Sequence, residues 1–203
     1  MINRITILTS LFILFNIVKS QDIDFEEQEK NIISLSNVIL TGETDSTRNY
    51  ASQQMQELFK EILNAKKSYL HEFKETGHVS ILQPKDKKFK IITWFVPHKS
   101  GELKYYGIIQ TCNKRGKKCN IYILEDTQDL SQENINYDFQ LNNWYGCLYY
   151  DLIITKIEKD TYYTLLGWDG NNNKTSKKMI EVLNVSKNKA PYFGANIFNN
   201  NKN

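Results

Sequence analysis

Residues 58–63 read LFKEIL and residues 88–96 read KFKIITWFV, and the change of hydrophobic period between these two segments decides the fold. Around the first segment, apolar side chains recur at three- and four-residue steps, which is the period of an amphipathic helix. From His78 onward the period shortens to two, which is typical of strands. The chain is therefore predicted to be an α+β protein, with an N-terminal αα-hairpin followed by a mostly antiparallel β-meander.

Two helices are expected in the hairpin, which is predicted to span residues 21–77. The first covers residues 25–40. A turn follows, and Asp45 or Ser46 is available to cap the second helix. The second helix is expected to end shortly before Gly77, because its apolar stripe comprises Met55, Leu58, Phe59, Ile62, Leu63, Tyr69, Leu70 and Phe73.

Six strands, separated by turns rich in Pro, Gly, Asn and Lys, are predicted within residues 78–198, as a β-rich region of the same domain. The short connections between successive strands favour antiparallel pairing. Residues 174–183 fit either a short helix or a strand, and the polar residues 199–203 are expected to form a disordered tail. The predicted strands are Val79–Leu82, Lys88–Val96, Leu103–Cys112, Cys119–Glu125, Leu148–Glu158 and Thr161–Trp168.

Two pairs of segments within this region resemble each other. Residues 91–93 and 153–155 both read IIT, and residues 105–109 (YYGII) resemble residues 162–166 (YYTLL) at a similar offset. Two interpretations remain open. Either the chain contains two successive sheet units of similar build, or two hairpins share an ordinary strand composition.

Residues 1–20 have the features of a secretory signal peptide. Arg4 gives a positive start, and an apolar run extends from Ile5 to Val18. This run is shorter than the ~20 residues that a membrane-spanning helix needs. We therefore predict cleavage after Ser20, a secreted or periplasmic location, and no transmembrane segment after cleavage.

The charge balance argues against nucleic acid as a partner. Without Arg4 and Lys19, the 26 basic residues fall to 24 against 23 acidic ones, which leaves a net charge of about +1. A near-neutral chain has no overall field that attracts nucleic acid. No cofactor-binding motif is recognised, so no cofactor is predicted, and the expected partner is an unidentified molecule of the envelope or extracellular space.

Cys112 and Cys119 flank a six-residue connection between two predicted strands. If that connection closes a hairpin, the two cysteines face each other at a distance suited to a disulfide. The alternative is a pair of free thiols within the strands. Cys147 is left over and is expected to pack as a small apolar residue.

Asp169, Asn171 and Asn173 alternate as the first oxygen ligands of a calcium loop do. The match fails further along, because Lys174 occupies the position of the loop glycine and Ile180 that of the bidentate glutamate. Asp-Gly and Asn-rich sequences also form tight turns. The segment is therefore predicted to be a hairpin turn, with calcium binding as the alternative.

Aromatic and histidine residues are the remaining candidates for a binding site. Trp144 and Trp168 either face a sugar or peptide ligand or pack in the sheet. His71, His78 and His98 lie in separate parts of the sequence, and no nucleophile or zinc motif accompanies them. Surface histidines without catalytic function are the simpler interpretation.

Three short blocks rich in aromatic residues and glycine occur within residues 106–171. Residues 106–110 read YGIIQ, residues 143–146 read NWYG and residues 162–171 read YYTLLGWDGN. Over residues 79–198 these blocks resemble a family of uncharacterised, signal-peptide-bearing Bacteroidetes proteins. The resemblance implies export and a shared fold, and it implies no activity, ligand or catalytic residue. Its members usually continue beyond a Phe-Gly block, here Phe193-Gly194, so this chain is expected to be a C-terminally truncated member with an unpaired sheet edge.

Two functional hypotheses follow from the sequence. The first is an exported, non-catalytic binding or structural protein whose sheet surface contacts an envelope or extracellular partner. The alternative is a secreted hydrolase acting on glycan or peptide, with Asp, Glu and His side chains as its catalytic groups. A cleft that holds Trp144 or Trp168 and two carboxylates roughly 5–10 Å apart would favour the hydrolase.

Overall fold

The computed structural model describes residues 23–113, 118–127, 141–172, 174–186 and 189–194. These residues contain two helices, a short 3-10 helix at Leu141–Asn143 and eight strands, which form two four-stranded antiparallel sheets. The predicted α+β class, with a helical hairpin first, is confirmed. The elements are α1 (Phe25–Thr41), α2 (Asp45–Asn64), β1 (Ser80–Leu82), β2 (Phe89–Pro97), β3 (Leu103–Cys112), β4 (Cys119–Glu125), β5 (Leu148–Ile157), β6 (Asp160–Asp169), β7 (Lys177–Asn184) and β8 (Tyr192–Phe193).

The predicted signal peptide at residues 1–20, its cleavage site and the tail at residues 199–203 lie outside the described residues. In the part of the chain that the structure describes, neither helix combines the length and apolar character needed to cross a membrane.

Both helices begin at capping side chains. The Asp24 carboxylate accepts hydrogen bonds from backbone N–H groups in the first turn of α1. The Thr44 hydroxyl accepts the N–H of Thr47 at 3.1 Å, so the cap of α2 lies just before the predicted positions, Asp45 and Ser46. These contacts satisfy N–H groups that have no partner within the helix.

The second helix ends earlier than its apolar stripe predicts. α2 stops at Asn64, and the apolar residues beyond it lie in turns and an irregular segment. Tertiary contacts explain why the helix ends at this point. The Leu63 carbonyl accepts hydrogen bonds from the buried Ser68 hydroxyl (2.9 Å) and from the Gln110 amide of β3 (2.7 Å), which replace further helical turns. The predicted hairpin of residues 21–77 is therefore too long.

The six predicted strands agree with β1 to β6 to within one residue at each end. The segment that fitted either a helix or a strand is β7. The strand orders are β1-β2-β3-β4 and β5-β6-β7-β8, so β2 and β3 are central strands whereas β5 is an edge strand. The sequence similarity therefore relates the hairpin β2–β3 to the hairpin β5–β6, and it does not relate two whole sheets.

The molecule has three layers, in which the first sheet (β1–β4) lies between the helices and the second sheet (β5–β8). Alternate residues of the first sheet point to opposite faces, and both faces are apolar. One face packs on the helices through Ile92, Trp94, Val96 and Ile108, against Ile32, Met55, Phe59 and Ile62. The other face packs on the second sheet through Phe89, Ile91, Tyr105 and Ile109, against Tyr149, Tyr163, Leu165 and Leu183.

Candidate functional site

A polar cluster forms at the end of β6, around Asp169, which is 3% exposed. Asp169 Oδ1 accepts the Tyr105 hydroxyl of β3 at 3.2 Å and the N–H of Asn171 at 2.7 Å. Its Oδ2 accepts the Tyr145 hydroxyl at 3.3 Å and lies 3.8 Å from the Lys177 ammonium. Both carboxylate oxygens therefore have partners within the chain. Since these partners include Tyr105 of β3 and Asn171 of the turn after β6, the cluster connects that turn to the first sheet.

Electrostatics favour this arrangement. Burial, with a further contribution from the Asp169 charge, raises the pKa of Tyr105, so its hydroxyl stays protonated and donates. The hydrogen bond from Lys177 Nζ to the Tyr145 hydroxyl (2.8 Å), together with the nearby Asp169, raises the pKa of Lys177. At neutral pH Lys177 is therefore charged, and its ammonium lies 3.8 Å from Asp169 Oδ2.

Two of the three predicted calcium ligands, Asp169 and Asn171, make hydrogen bonds within the chain. Asp169 is engaged as described, the Asn171 side-chain amide donates to the Thr175 hydroxyl at 2.7 Å, and Asn173 lies outside the described residues. Within the described ranges, no group of three or more His, Cys, Asp and Glu side chains is arranged to hold a metal ion. The hydrogen bonds of Asn172 with Lys174 and Thr175 are typical of a polar turn.

The two candidate tryptophans occupy different environments. Trp144 has no exposed surface, and its indole N–H donates to the Tyr149 hydroxyl at 2.8 Å within the core between the sheets. Trp144 therefore packs internally. Trp168 is half-buried, with its ring 5.7 Å from that of Phe95. The structure does not bring the two tryptophans into one groove.

A buried polar chain that the sequence did not indicate starts at Trp144. The Tyr149 hydroxyl donates to Glu181 Oε2, and Cys147 Sγ lies 3.8 Å from the same oxygen. Tyr149 and Cys147 have no exposed surface. Burial raises the pKa of Glu181, although the hydrogen bonds from its two neighbours act in the opposite direction. The alternation of side chains along β7 could have indicated that Glu181 is buried, because it places Glu181 on the same face as the core residue Leu183.

The three cysteines are placed as predicted. Cys112 and Cys119 are opposite each other on β3 and β4, with Cα atoms 4.1 Å apart and sulfurs at disulfide distance. The neighbouring pair is closed by the bond from Asn113 N–H to the Lys118 carbonyl (3.0 Å), so the cysteines form a non-hydrogen-bonded pair, where cross-strand Cα atoms approach most closely. Cys147 is buried in the core and unpaired with another cysteine.

The histidines do not form a common site. His71 Nε2 lies 2.7 Å from Glu29 Oε1, and its ring stacks on Phe25 at 4.4 Å. His78 is exposed, and the His98 ring is 3.4 Å from the Asn49 side chain on α2. An open concavity of about 340 Å³ beside His71 is lined by Glu26, Glu29, Lys30, Ile33, Glu72, Lys74 and Glu75. Neither candidate tryptophan lines this concavity.

Lys90 is a second buried group that periodicity did not identify. It lies on the helix-facing side of β2 and is 2% exposed. Its Nζ donates to the carbonyls of Ser68 (2.7 Å) and His71 (2.6 Å) and lies 5.0 Å from the Phe73 ring centroid. Burial, followed by the nearby positive charge of Lys87, lowers the pKa of Lys90 to about 8. Lys90 thus fastens the irregular segment after α2 to the first sheet.

The second sheet has a face that points away from the core, which we call the outer face. Its residues alternate with core residues on β5, β6 and β7, so that Ile153, Thr164 and Val182 form one cross-strand row and Leu166 and Ile180 another. Ile153 is 48% exposed and Ile180 63% exposed, whereas Thr164 and Val182 of the first row are buried. No described helix packs on this face, in contrast to the first sheet, which is covered on both sides.

The chain matches no protein-family model, no curated protein and no solved structure. A fold alone does not define a function, so the functional argument has to start from the surfaces and side chains described above.

Proposed function

We propose that this protein is an exported, non-catalytic binding protein that contacts an envelope or extracellular partner through the outer face of its second sheet. The observation that carries the proposal is the set of exposed aliphatic side chains on that face, Ile153, Ile157 and Ile180. Exposed apolar side chains grouped on one face are a common property of interaction sites, because contact with a partner removes them from water.

The pattern of the outer face differs from that of a solvated sheet. An antiparallel sheet with one wet face normally alternates apolar residues towards the core with polar residues towards water. On β7 the outward positions include Ile180 and Val182, and on β6 they include Leu166. Lys178 lies over the exposed Tyr150 ring at 4.5 Å, so a charged residue borders the apolar surface. An apolar centre with a charged border is the composition expected of a protein-binding surface.

The roles of the buried ionisable groups support binding over hydrolysis. The oxygens of Asp169 accept hydrogen bonds from its own chain, and Glu181 is enclosed by Tyr149 and Cys147. A general acid or base needs access to the substrate proton that it transfers. These carboxyl groups instead bond to neighbouring side chains that hold the sheets and turns together.

Export is supported by one feature of the sequence and one feature of the structure. The apolar run that ends at Val18 fits a leader, and the Cys112–Cys119 pair is at disulfide distance, which suits an oxidising compartment. The test is N-terminal sequencing of the protein recovered from the extracellular or periplasmic fraction. We expect the mature chain to start at Gln21, and recovery of an intact chain from Met1 in the cytoplasm would contradict export.

The binding surface is tested by site-specific photocrosslinking in the producing cells. A photoreactive residue at Ile180, on the outer face, is expected to give a discrete adduct with another macromolecule. The matched control is the same residue at Glu61, an exposed position on α2 at the opposite side of the molecule. Equal adducts at both positions, or none at Ile180, would contradict the proposed surface.

A further inference from the structure

We propose that the edge strand β5 pairs antiparallel with β5 of a second copy of this chain, which joins two four-stranded second sheets into one continuous sheet. The two-fold axis passes through Thr155. This inference does not depend on the proposed function, because it rests on the outward backbone groups of the sheet edge, although Ile153 and Ile157 of the outer face lie within the paired segment. It identifies a second copy as the partner of that edge.

The edge is available over the second half of β5. β5 ends the strand order of its sheet, and among the described strands it pairs only with β6. Its first residues are occupied by the first sheet, since the Ser80 hydroxyl donates to the Tyr149 carbonyl and the Tyr149 N–H donates to the Thr93 hydroxyl. Residues 152–157 continue beyond these contacts towards the exposed turn that leads to β6.

The turn determines which backbone groups point outward. Glu158 and Lys159 form a two-residue hairpin loop, so Ile157 and Asp160 are the hydrogen-bonded pair that closes it. Alternate residues of an antiparallel pair exchange hydrogen bonds. Thr155 and Ile153 therefore bond to β6 as Ile157 does, whereas the N–H and C=O groups of the even-numbered residues point away from the sheet.

A side-chain contact agrees with this assignment. The Leu152 N–H donates to the Asp151 carboxylate at 2.7 Å. The outward groups of Ile154 and Lys156 have no comparable contact among the described residues, and they form the segment available for pairing.

The cross-strand pairs that two copies of β5 can form favour a second copy of the chain as the partner. If Ile154 of one copy pairs with Lys156 of the other, Thr155 lies opposite Thr155 and Ile153 opposite Ile157 on matching faces, and Asp151 comes level with Lys159 in the hairpin loop of the other copy. The strand pairs are favourable cross-strand combinations, and Asp151 and Lys159 carry opposite charges. Moving the register by two residues in one direction places Lys156 opposite Lys156, and in the other direction it places Asp151 opposite Ile157. The charge pattern therefore favours one symmetric register.

Sedimentation velocity of the purified protein over a range of concentrations tests the proposal. We expect a reversible dimer. Lys156→Pro removes an outward N–H without removing a bond to β6, so it is expected to abolish the dimer, and its far-UV circular dichroism is expected to match the wild type. Lys156→Ala keeps the N–H and is expected to remain dimeric. A wild-type protein that stays monomeric at high micromolar concentration would overturn the proposal.

Charge exchange tests the register itself. Asp151→Lys and Lys159→Asp each turn two attractive pairs into repulsive ones, and each is expected to weaken dimerisation about tenfold. An equimolar mixture of the two variants, or the double variant, restores opposite charges and is expected to recover the wild-type affinity. Dimers that respond to Ile180→Lys but not to these charge changes would show that the outer faces associate instead, which would also overturn the proposal.

Discussion

Glu181 is a carboxyl group that the fold holds against two side chains with no exposed surface. Its pKa is raised above the ordinary value of 4.5 because burial disfavours the charged form. The unfolded chain releases this proton near 4.5, whereas the folded protein retains it to higher pH. The stability associated with the protonated group is therefore fully present below pH 4.5 and is lost as the pH rises through the raised pKa.

Glu181→Gln is predicted to remove this loss. The Gln side chain stays neutral and still offers an oxygen to the Tyr149 hydroxyl, so the free energy of unfolding should decline less between pH 4.5 and pH 8 than in the wild type. Denaturant unfolding across that pH range measures the difference, and each unit of pKa difference corresponds to about 1.4 kcal/mol.

The control for this prediction is Glu61→Gln, which makes the same change of charge at an exposed position on α2. Its pH profile is expected to follow that of the wild type. Parallel profiles for the wild type and Glu181→Gln would show that Glu181 ionises in the folded protein without cost, contrary to its enclosure by Tyr149 and Cys147.

At the scale of elements, the irregular segment after α2 is held by contacts from both neighbouring layers. From α1, Glu29 Oε2 accepts the N–H groups of Lys74 (3.2 Å) and Glu75 (3.0 Å), and its Oε1 contacts His71. From the first sheet, Lys90 donates to two carbonyls of the segment. The turns of the segment make some backbone hydrogen bonds of their own, and these side chains bond to further backbone groups that have no regular secondary structure around them.

Glu29→Gln is predicted to destabilise this segment at neutral pH. It is also predicted to make the stability of the segment less dependent on pH in the acid range. The hydrogen bonds that Glu29 accepts outweigh its partial burial and lower its pKa below 4.5, so the stability that it contributes is present above pH 4.5 and is lost as the pH falls through the lowered pKa. In the variant, the amides of Lys74 and Glu75 should exchange hydrogen faster at neutral pH. Glu27→Gln, at an exposed position on the same helix, is the control and should leave both amides unchanged.

The strands could be predicted from the sequence, whereas the start of the segment after α2 could not. The strands β1 to β6 were predictable because Pro, Gly and Asn-rich turns interrupt apolar runs at nearly every strand end. The end of α2 was not, because the apolar stripe continues to Phe73 and the helix is terminated by Ser68 and Gln110, a contact between residues distant in sequence. Asp169 was identified through its Asn-rich turn, but its partners Tyr105 and Tyr145 belong to other elements, so the calcium alternative could not be decided locally.

At the scale of the whole molecule, the first sheet belongs to two cores. Ile92 faces the helices and the adjacent Ile91 faces the second sheet, and both are essentially unexposed. A sequence in which both strand faces are apolar indicates a covered sheet, but it does not state which element covers which face. The three-layer order therefore depends on long-range packing, and periodicity could predict only one antiparallel region.

This double role predicts that the three layers unfold together. Ile91→Ala and Ile92→Ala remove the same atoms from opposite faces of one strand, and each is expected to lower the free energy of unfolding by about 2–5 kcal/mol. Since both residues belong to β2, we expect one cooperative transition in each variant, with faster hydrogen exchange at slowly exchanging amides of α2 and of β6 alike. Leu70→Ala, at an exposed position in the segment after α2, is the control and should change stability by about 0.5 kcal/mol or less. If Ile91→Ala released β6 while α2 kept its full protection, the two cores would be separate cooperative units, and the first sheet would not couple them.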